Sequence, residues 1–215
     1  MRKSLKDMLD SWPKVFIQDA GLALLLGKSD DARYSMVKRA LKSGVLLRLR
    51  KGLYLITSKT KSVLPDEFEL ALLMYGPSIV SLESALSYHN LIPEAVYTTT
   101  CVSPKRAQEF KTPIGVFSYK RVPEKGFYSG VKRIVTSTST FFVADPWRAL
   151  ADFIYTRRVS WKNLMGLEAD LRVDIDSLMS GDHRVLESLS ENYPSARVRV
   201  TLKRFLREIK RKHKA

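Results

Sequence analysis

The chain has 215 residues, of which 45% are hydrophobic and 27% charged, a composition typical of one large or two small globular domains. No apolar run approaches the roughly 20 residues that span a bilayer, and the N-terminus begins an amphipathic pattern without a signal-peptide core. The single cysteine, Cys101, excludes an intramolecular disulfide and a cysteine-cluster zinc site. We therefore expect a cytoplasmic protein that makes no membrane contact.

Positive charge is concentrated at the two ends of the chain. The formal net charge is +15. Residues 1–62 contain 14 Lys and Arg against 5 Asp and Glu, and residues 197–215 contain 9 against 1. The 134 residues between them contain 14 against 16, a balance of −2. This distribution predicts two cationic surfaces for a polyanion.

The N-terminal third has the pattern of short helices followed by a hairpin. Helices are predicted over residues 4–11 and 18–26, separated by an extended segment at 15–17. A third helix is predicted over 32–42, capped by Ser29 or Asp30, with Gly44 ending it. Alternating Leu and Arg, then a Lys-Gly turn, predict the hairpin, with strands at 46–50 and 53–56.

One face of the third helix and the outer face of the hairpin carry cations of a single sign, which fits a winged helix-turn-helix that binds double-stranded DNA. The alternative is a small domain whose charges are merely solvated. Side chains predicted to reach bases or phosphates from the turn and helix are Lys28, Ser29, Ser35, Lys38, Arg39 and Lys42. Arg33 and Tyr34 lie on the flanks of this helix, where packing on its neighbour is equally consistent. From the hairpin, phosphate or minor-groove contacts are predicted for Arg48, Arg50 and Lys51, whereas Tyr54 is assigned to the core.

A polar segment at 58–62 is predicted to link this domain, residues 1–62, to a second domain, residues 63–215. The second domain opens with helix 66–75, a short strand at 78–80 and a serine-capped helix at 81–89. Four further strands are predicted over residues 95–103, 114–122, 127–136 and 139–143. Asp145 and Pro146 begin another helix, and helices follow at 160–172, 175–190 and 196–212. The expected fold class is α+β: a winged helix, then a mixed domain with a small sheet and a helical C-terminal end.

Three stretches resemble the AbiEi family of bacterial abortive-infection antitoxins, which belong to type IV toxin–antitoxin systems. They are Leu47–Tyr54, Ile79–Leu91, with Asn90 where glycine is common, and Val143–Asp152, with Trp147-Arg148 where a Glu-Lys pair often stands. The stretches and their order cover most of residues 10–160, and the last fifty residues match only in being helical and basic.

The resemblance implies a winged helix that represses its own operon by binding promoter DNA with inverted repeats, and a second domain that counteracts a toxin in phage defence. The usual toxin is a co-encoded nucleotidyltransferase, which the antitoxin is thought to oppose without a stable complex. Two alternatives remain open. One is a one-component transcriptional regulator whose second domain senses a ligand, and the other is a nucleic-acid-modifying enzyme.

Catalytic and metal-binding patterns are poor, so we expect no enzyme, metal or cofactor. His89, His183 and His213 share no local motif with a cysteine or a carboxylate cluster, and His89 is expected to contact the last carbonyls of its helix. Asp174 and Asp176 have metal-binding spacing but follow a helical segment, so an N-cap is the preferred interpretation. There is no glycine-rich phosphate loop.

The C-terminal segment predicts an amphipathic helix with a basic back. Its apolar stripe comprises Val198, Leu202, Phe205, Leu206 and Ile209. Two interpretations are equally supported: a helix packed on the second domain with solvated charges, or a second nucleic-acid surface. The cations of that surface would be Arg199, Lys203, Arg204, Arg207, Lys210 and Arg211.

Overall fold

The computed structural model describes residues 4–27, 29–94 and 96–212, which form a mixed α+β fold in two compact units. The first unit is Met1–Met74 and the second is Tyr75–Ala215. Eleven helices and nine strands lie within the described residues. None of the helices in this part of the chain is long and apolar enough to cross a membrane.

The first unit begins with three helices and a three-stranded antiparallel sheet. Its elements in chain order are α1 (Leu5–Asp10), β1 (Phe16–Gln18), α2 (Asp19–Leu26), α3 (Asp30–Lys42), β2 (Leu46–Arg50) and β3 (Leu53–Ile56). The sheet order is β1-β3-β2, so the long-range partner β1 lies beside β3 and the β2–β3 hairpin closes the other side. The helices and the hairpin predicted for this segment are confirmed.

The core of this unit lies between the three helices and one face of the sheet. Leu22 and Leu26 of α2 pack with Val37 and Ala40 of α3, and Leu25 adds a partly buried contact. Strand residues complete the cluster from the sheet: Ile17, Leu46, Tyr54 and Ile56. The apolar stripe of α3 is therefore turned inward, as its helical spacing requires.

Two further helices belong to the first unit and move its boundary beyond the predicted position. The segment predicted as a linker contains a helical turn, α4 (Thr57–Thr60), followed by α5 (Glu67–Met74). Helix α5 is tied to the unit by a 3.0 Å ion pair between Lys14 and Glu69, and Leu70, Ala71 and Met74 are buried. The unit consequently ends at Met74 and not near residue 62, because α5 has partners there that its own sequence does not reveal.

The second unit is built on a six-stranded mixed sheet. Its strands are β4 (Ile79–Val80), β5 (Thr98–Ser103), β6 (Gln108–Thr112), β7 (Gly115–Arg121), β8 (Val131–Val135) and β9 (Thr140–Ala144), in the order β6-β7-β5-β4-β9-β8. Strands β5 and β7 are parallel neighbours, as are β4 and β9. Strand β6 was not predicted, because it is a largely exposed edge strand with a polar sequence, a common protection against edge-to-edge pairing.

Six helices accompany this sheet. They are α6 (Leu82–Tyr88), α7 (Pro146–Arg157), α8 (Leu164–Leu171), α9 (Ile175–Ser180), α10 (Arg184–Asn192) and α11 (Ala196–Lys212). The single helix predicted over 175–190 is divided at Gly181. The division is stabilised by Asp182, whose carboxylate accepts from the Arg184 backbone N–H at 2.9 Å. These bonds and the Arg184 guanidinium lower the pKa of Asp182 to about 2.

The hairpin turn supplies the first prediction, because Gly52 has φ +81° and a Cβ there would lie 2.8 Å from Oδ2 of Asp19. Gly44 also has a left-handed φ, +73°, but an added Cβ meets nothing within 4 Å. Gly44→Ala should therefore cost only the backbone strain, about 1 kcal/mol, and Gly52→Ala should cost about 2 kcal/mol or more. Urea denaturation of both variants checks this, and equal midpoints would contradict it.

Candidate nucleic-acid interface

Helix α3 presents a polar and cationic face to solvent. Val37 and Ala40 are buried, whereas Ser35, Lys38, Arg39 and Lys42 are exposed on the other side. Tyr34 is 69% exposed, so it is available for contact and is not packed on the neighbouring helix. The predicted outward residues of this helix are thus brought together on one face by its apolar stripe.

The beginning of α3 differs from its predicted use. Ser29 occupies the N-cap position and is exposed, but its side chain makes no capping hydrogen bond. Arg33 is only partly exposed and its guanidinium forms an ion pair with Asp30 one turn earlier. Arg33 is thereby neutralised by its own helix, and Lys28 lies outside the described residues.

The β2–β3 hairpin holds two exposed cations. Arg48 is exposed, and its guanidinium carbon lies 6.0 Å from the centre of the Tyr54 ring. Lys51 is exposed in the turn, next to Gly52. Tyr54 is buried as predicted, and its pKa is raised because of burial and the nearby Asp19 carboxylate. The neutral Tyr54 ring therefore supports Arg48 from below.

Arg50 has an internal role that the sequence analysis did not anticipate. Its guanidinium donates to the backbone oxygens of Lys51, at 3.1 Å, and of Leu73, at 3.0 Å. Its Nε is buried without a hydrogen-bond partner among the described residues. The cause is an irregularity of β2 between Arg48 and Arg50, which places Arg50 opposite Leu53 and breaks the simple alternation of outward arginines.

The outer charges of α3 and the hairpin are available for an external partner. Within residues 4–27 and 29–74, none of the following forms an ion pair: Lys38, Arg39, Lys42, Arg48 and Lys51. Asp31 is the one exposed carboxylate of α3 that no cation neutralises in this part of the chain. Five cations that remain unneutralised generate a positive local potential suited to phosphate.

The C-terminal helix α11 combines a buried stripe with a basic back. Val198, Leu202, Phe205 and Ile209 are buried, and Leu206 is half-buried. Two predicted contact residues are engaged within the unit: Arg199 donates to the Tyr193 carbonyl at 2.6 Å, and Lys210 pairs with Glu187 at 3.0 Å. Four exposed cations without an ion pair among the described residues remain: Lys203, Arg204, Arg207 and Arg211.

Two of the stretches that carry the family resemblance meet in a buried polar network. The Ser81 hydroxyl donates to one oxygen of Asp152 at 2.8 Å, and Tyr193 donates to the other at 3.1 Å. Arg148, which is 2% exposed, donates to the same carboxylate at 3.0 Å. Its NH1 also donates to the Gly126, Phe127 and Ser129 carbonyls. Ser81 therefore does not cap its helix by side chain, as the sequence suggested, but helps to neutralise a buried carboxylate.

The residues considered for catalysis have structural roles. His89 lies 2.9 Å by Nε2 from the Ala144 carbonyl, so it bonds β9 and not the last carbonyls of its own helix. Asp174 caps α9 as predicted, and hydrogen bonds from Ser177 lower its pKa. His213 lies outside the described residues. Over the described part of the chain, no three His, Cys, Asp or Glu side chains are grouped as metal ligands would be.

Comparison with known proteins provides no relative for this chain. A scan against models of protein families finds no match, and a search of curated proteins finds none either.

The buried network generates the second prediction. Arg148→Ala leaves the Asp152 carboxylate without its cation in a dry environment, so it should destabilise the second unit by about 3–5 kcal/mol. Lys210→Ala removes a pair in which the lysine side chain is 62% exposed and should cost about 1 kcal/mol or less. Chemical denaturation measures both, and similar costs for the two variants would show that Arg148 does not neutralise Asp152.

Proposed function

We propose that the first unit is a winged helix-turn-helix domain that binds double-stranded DNA through α3 and the β2–β3 hairpin. The order helix, strand, helix, helix, hairpin supports this, together with a sheet in which β1 pairs with β3. In such a domain α3 enters the major groove and the hairpin follows the adjacent backbone. The observation that carries the proposal is the set of exposed cations without ion pairs on these two elements.

The contacts divide into two classes. Lys38, Arg39 and Ser35 occupy the exposed face of α3, where they would meet base edges and supply sequence preference. Arg48 and Lys51 on the hairpin would meet phosphates and supply affinity with little sequence information. Arg50 is omitted from this set, because its guanidinium already donates to the Leu73 carbonyl.

We further propose that the chain acts as an AbiEi-like antitoxin, a repressor of its own operon whose second unit opposes a co-encoded nucleotidyltransferase toxin. The three matching stretches support this, and two of them adjoin in the network around Asp152. A buried network shared by the stretches is a physical reason for a sequence pattern that carries no catalytic group. The toxin-directed action is assigned to the second unit, since the first is accounted for by DNA.

The DNA contacts can be tested by the salt dependence of binding. Lys38→Ala, Arg39→Ala and Arg48→Ala together should weaken binding to the DNA upstream of the coding sequence and reduce the salt slope by about 0.9 per lost phosphate contact. The matched control replaces three exposed cations of the second unit, Lys125, Arg133 and Lys162, and should leave the slope unchanged. A triple α3–hairpin variant with the slope of the unmodified protein would eliminate this interface.

The two proposed activities should be separable in one full-length protein. The same Lys38, Arg39 and Arg48 variant should lose repression of a reporter, because its DNA contacts are gone. It should still protect cells from the toxin expressed from an independent promoter, since the second unit is unaltered. Growth and reporter assays measure the two effects, and simultaneous loss of both would show that repression alone explains any protection.

A further inference from the structure

A pocket of about 530 Å³ lies in the second unit, at the carboxyl ends of two parallel strands. Strands β5 and β7 run side by side with Ser103 opposite Arg121, so both chains leave the sheet at the same edge. Pro104 follows β5 and Val122 follows β7, and both line the pocket. The carboxyl edge of parallel strands is where open sheets commonly bind ligands.

The lining of this pocket is strongly cationic. Lys120, Arg121, Arg158 and Arg197 contribute four positive charges, and Glu124 is the single carboxylate. None of the four cations forms an ion pair within the described part of this unit. Each is exposed, so a ligand can reach it. A formal balance of +3 in one concave pocket needs an anionic occupant to be neutralised.

The cations come from three different elements. Lys120 and Arg121 end β7, Arg197 lies in the first turn of α11, and Arg158 follows the last residue of α7. Arg158 has a left-handed backbone, φ +57°, at a helix-capping position where glycine is the favoured residue. The positive end of α11 and the negative end of α7 both lie here, so their dipoles offset and the side chains determine the potential.

The remaining wall is apolar and includes one aromatic ring. Tyr155 lines the pocket together with Val122, Pro104 and Pro123. The Tyr155 ring is held against the buried Tyr193, with ring centres 6.1 Å apart. A flat, partly buried ring beside clustered cations suits a planar group that carries phosphate.

We propose that this pocket binds the phosphate groups of a small phosphorylated ligand, of which a nucleotide is the form that also uses Tyr155. Guanidinium groups match phosphate oxygens with paired hydrogen bonds, and Arg121, Arg158 and Arg197 supply three of them. The inference rests on the second unit alone and does not depend on DNA binding by the first.

Calorimetric titration of the full-length protein at low salt, without added Mg²⁺, tests the pocket. ATP and inorganic tripolyphosphate should bind, and adenosine should not. ATP binding tighter than tripolyphosphate assigns a nucleotide, and equal binding assigns a polyphosphate anion held by the cations alone. Absence of binding by both phosphate compounds would overturn the proposal.

Two substitutions locate the binding. Arg158→Gly removes a pocket cation and relieves its left-handed backbone, so the fold should be retained, and combined with Arg197→Gln it should weaken ATP binding at least about tenfold. The matched control is Arg172→Gly, which also relieves a left-handed arginine, φ +51°, but lies outside the pocket lining. Unchanged affinity in the double variant would contradict the assignment. Tighter binding of a short single-stranded DNA, lost in that variant, would replace it with a nucleic-acid surface.

Discussion

Strand β3 is buried along its whole length, and this burial decides which charges of the first unit reach solvent. Tyr54 and Ile56 join the core shared with α2 and α3, whereas Leu53 and Leu55 are buried on the opposite face. A strand covered on both faces leaves no outward side for the chain that pairs with it. Arg50, opposite Leu53, must therefore satisfy its guanidinium internally, and it does so on the Leu73 carbonyl of α5.

The same burial explains why α3 and the hairpin form a surface at all. The helix packs its apolar stripe on one face of the sheet, so its polar side chains have only solvent to meet. Arg48, at the end of the hairpin away from that core, stays exposed over Tyr54. Cations without acidic partners on a rigid support lose little conformational freedom on binding phosphate, which favours recognition by preformed geometry.

Periodicity allowed correct prediction of most elements of the first unit, because each has a short local signal such as a cap, a turn glycine or an apolar stripe. The position of Arg50 could not be predicted, since it depends on a bulge and on a helix that lies twenty residues later in the chain. Strand β6 and the break at Gly181 escaped for related reasons: one is an exposed edge, and the other is stabilised by a single Asp182 carboxylate. The role of Asp152 required coordinates, because its partners Ser81 and Tyr193 are 71 and 41 residues away in sequence.

Charge counted along the sequence misses charge gathered by the fold. The segment from 63 to 196 balances at −2, yet it supplies Lys120, Arg121 and Arg158 to one pocket. Its acidic residues are used elsewhere: Asp152 is buried on Arg148, Glu83 pairs with Arg157, and Glu94 pairs with Arg172. Since carboxylates in ion pairs no longer screen distant cations, a nearly neutral segment can hold a strongly positive cavity. The basic ends of the chain are therefore not its only anion-binding surfaces, and the pocket beside β5 and β7 follows from topology, not from composition.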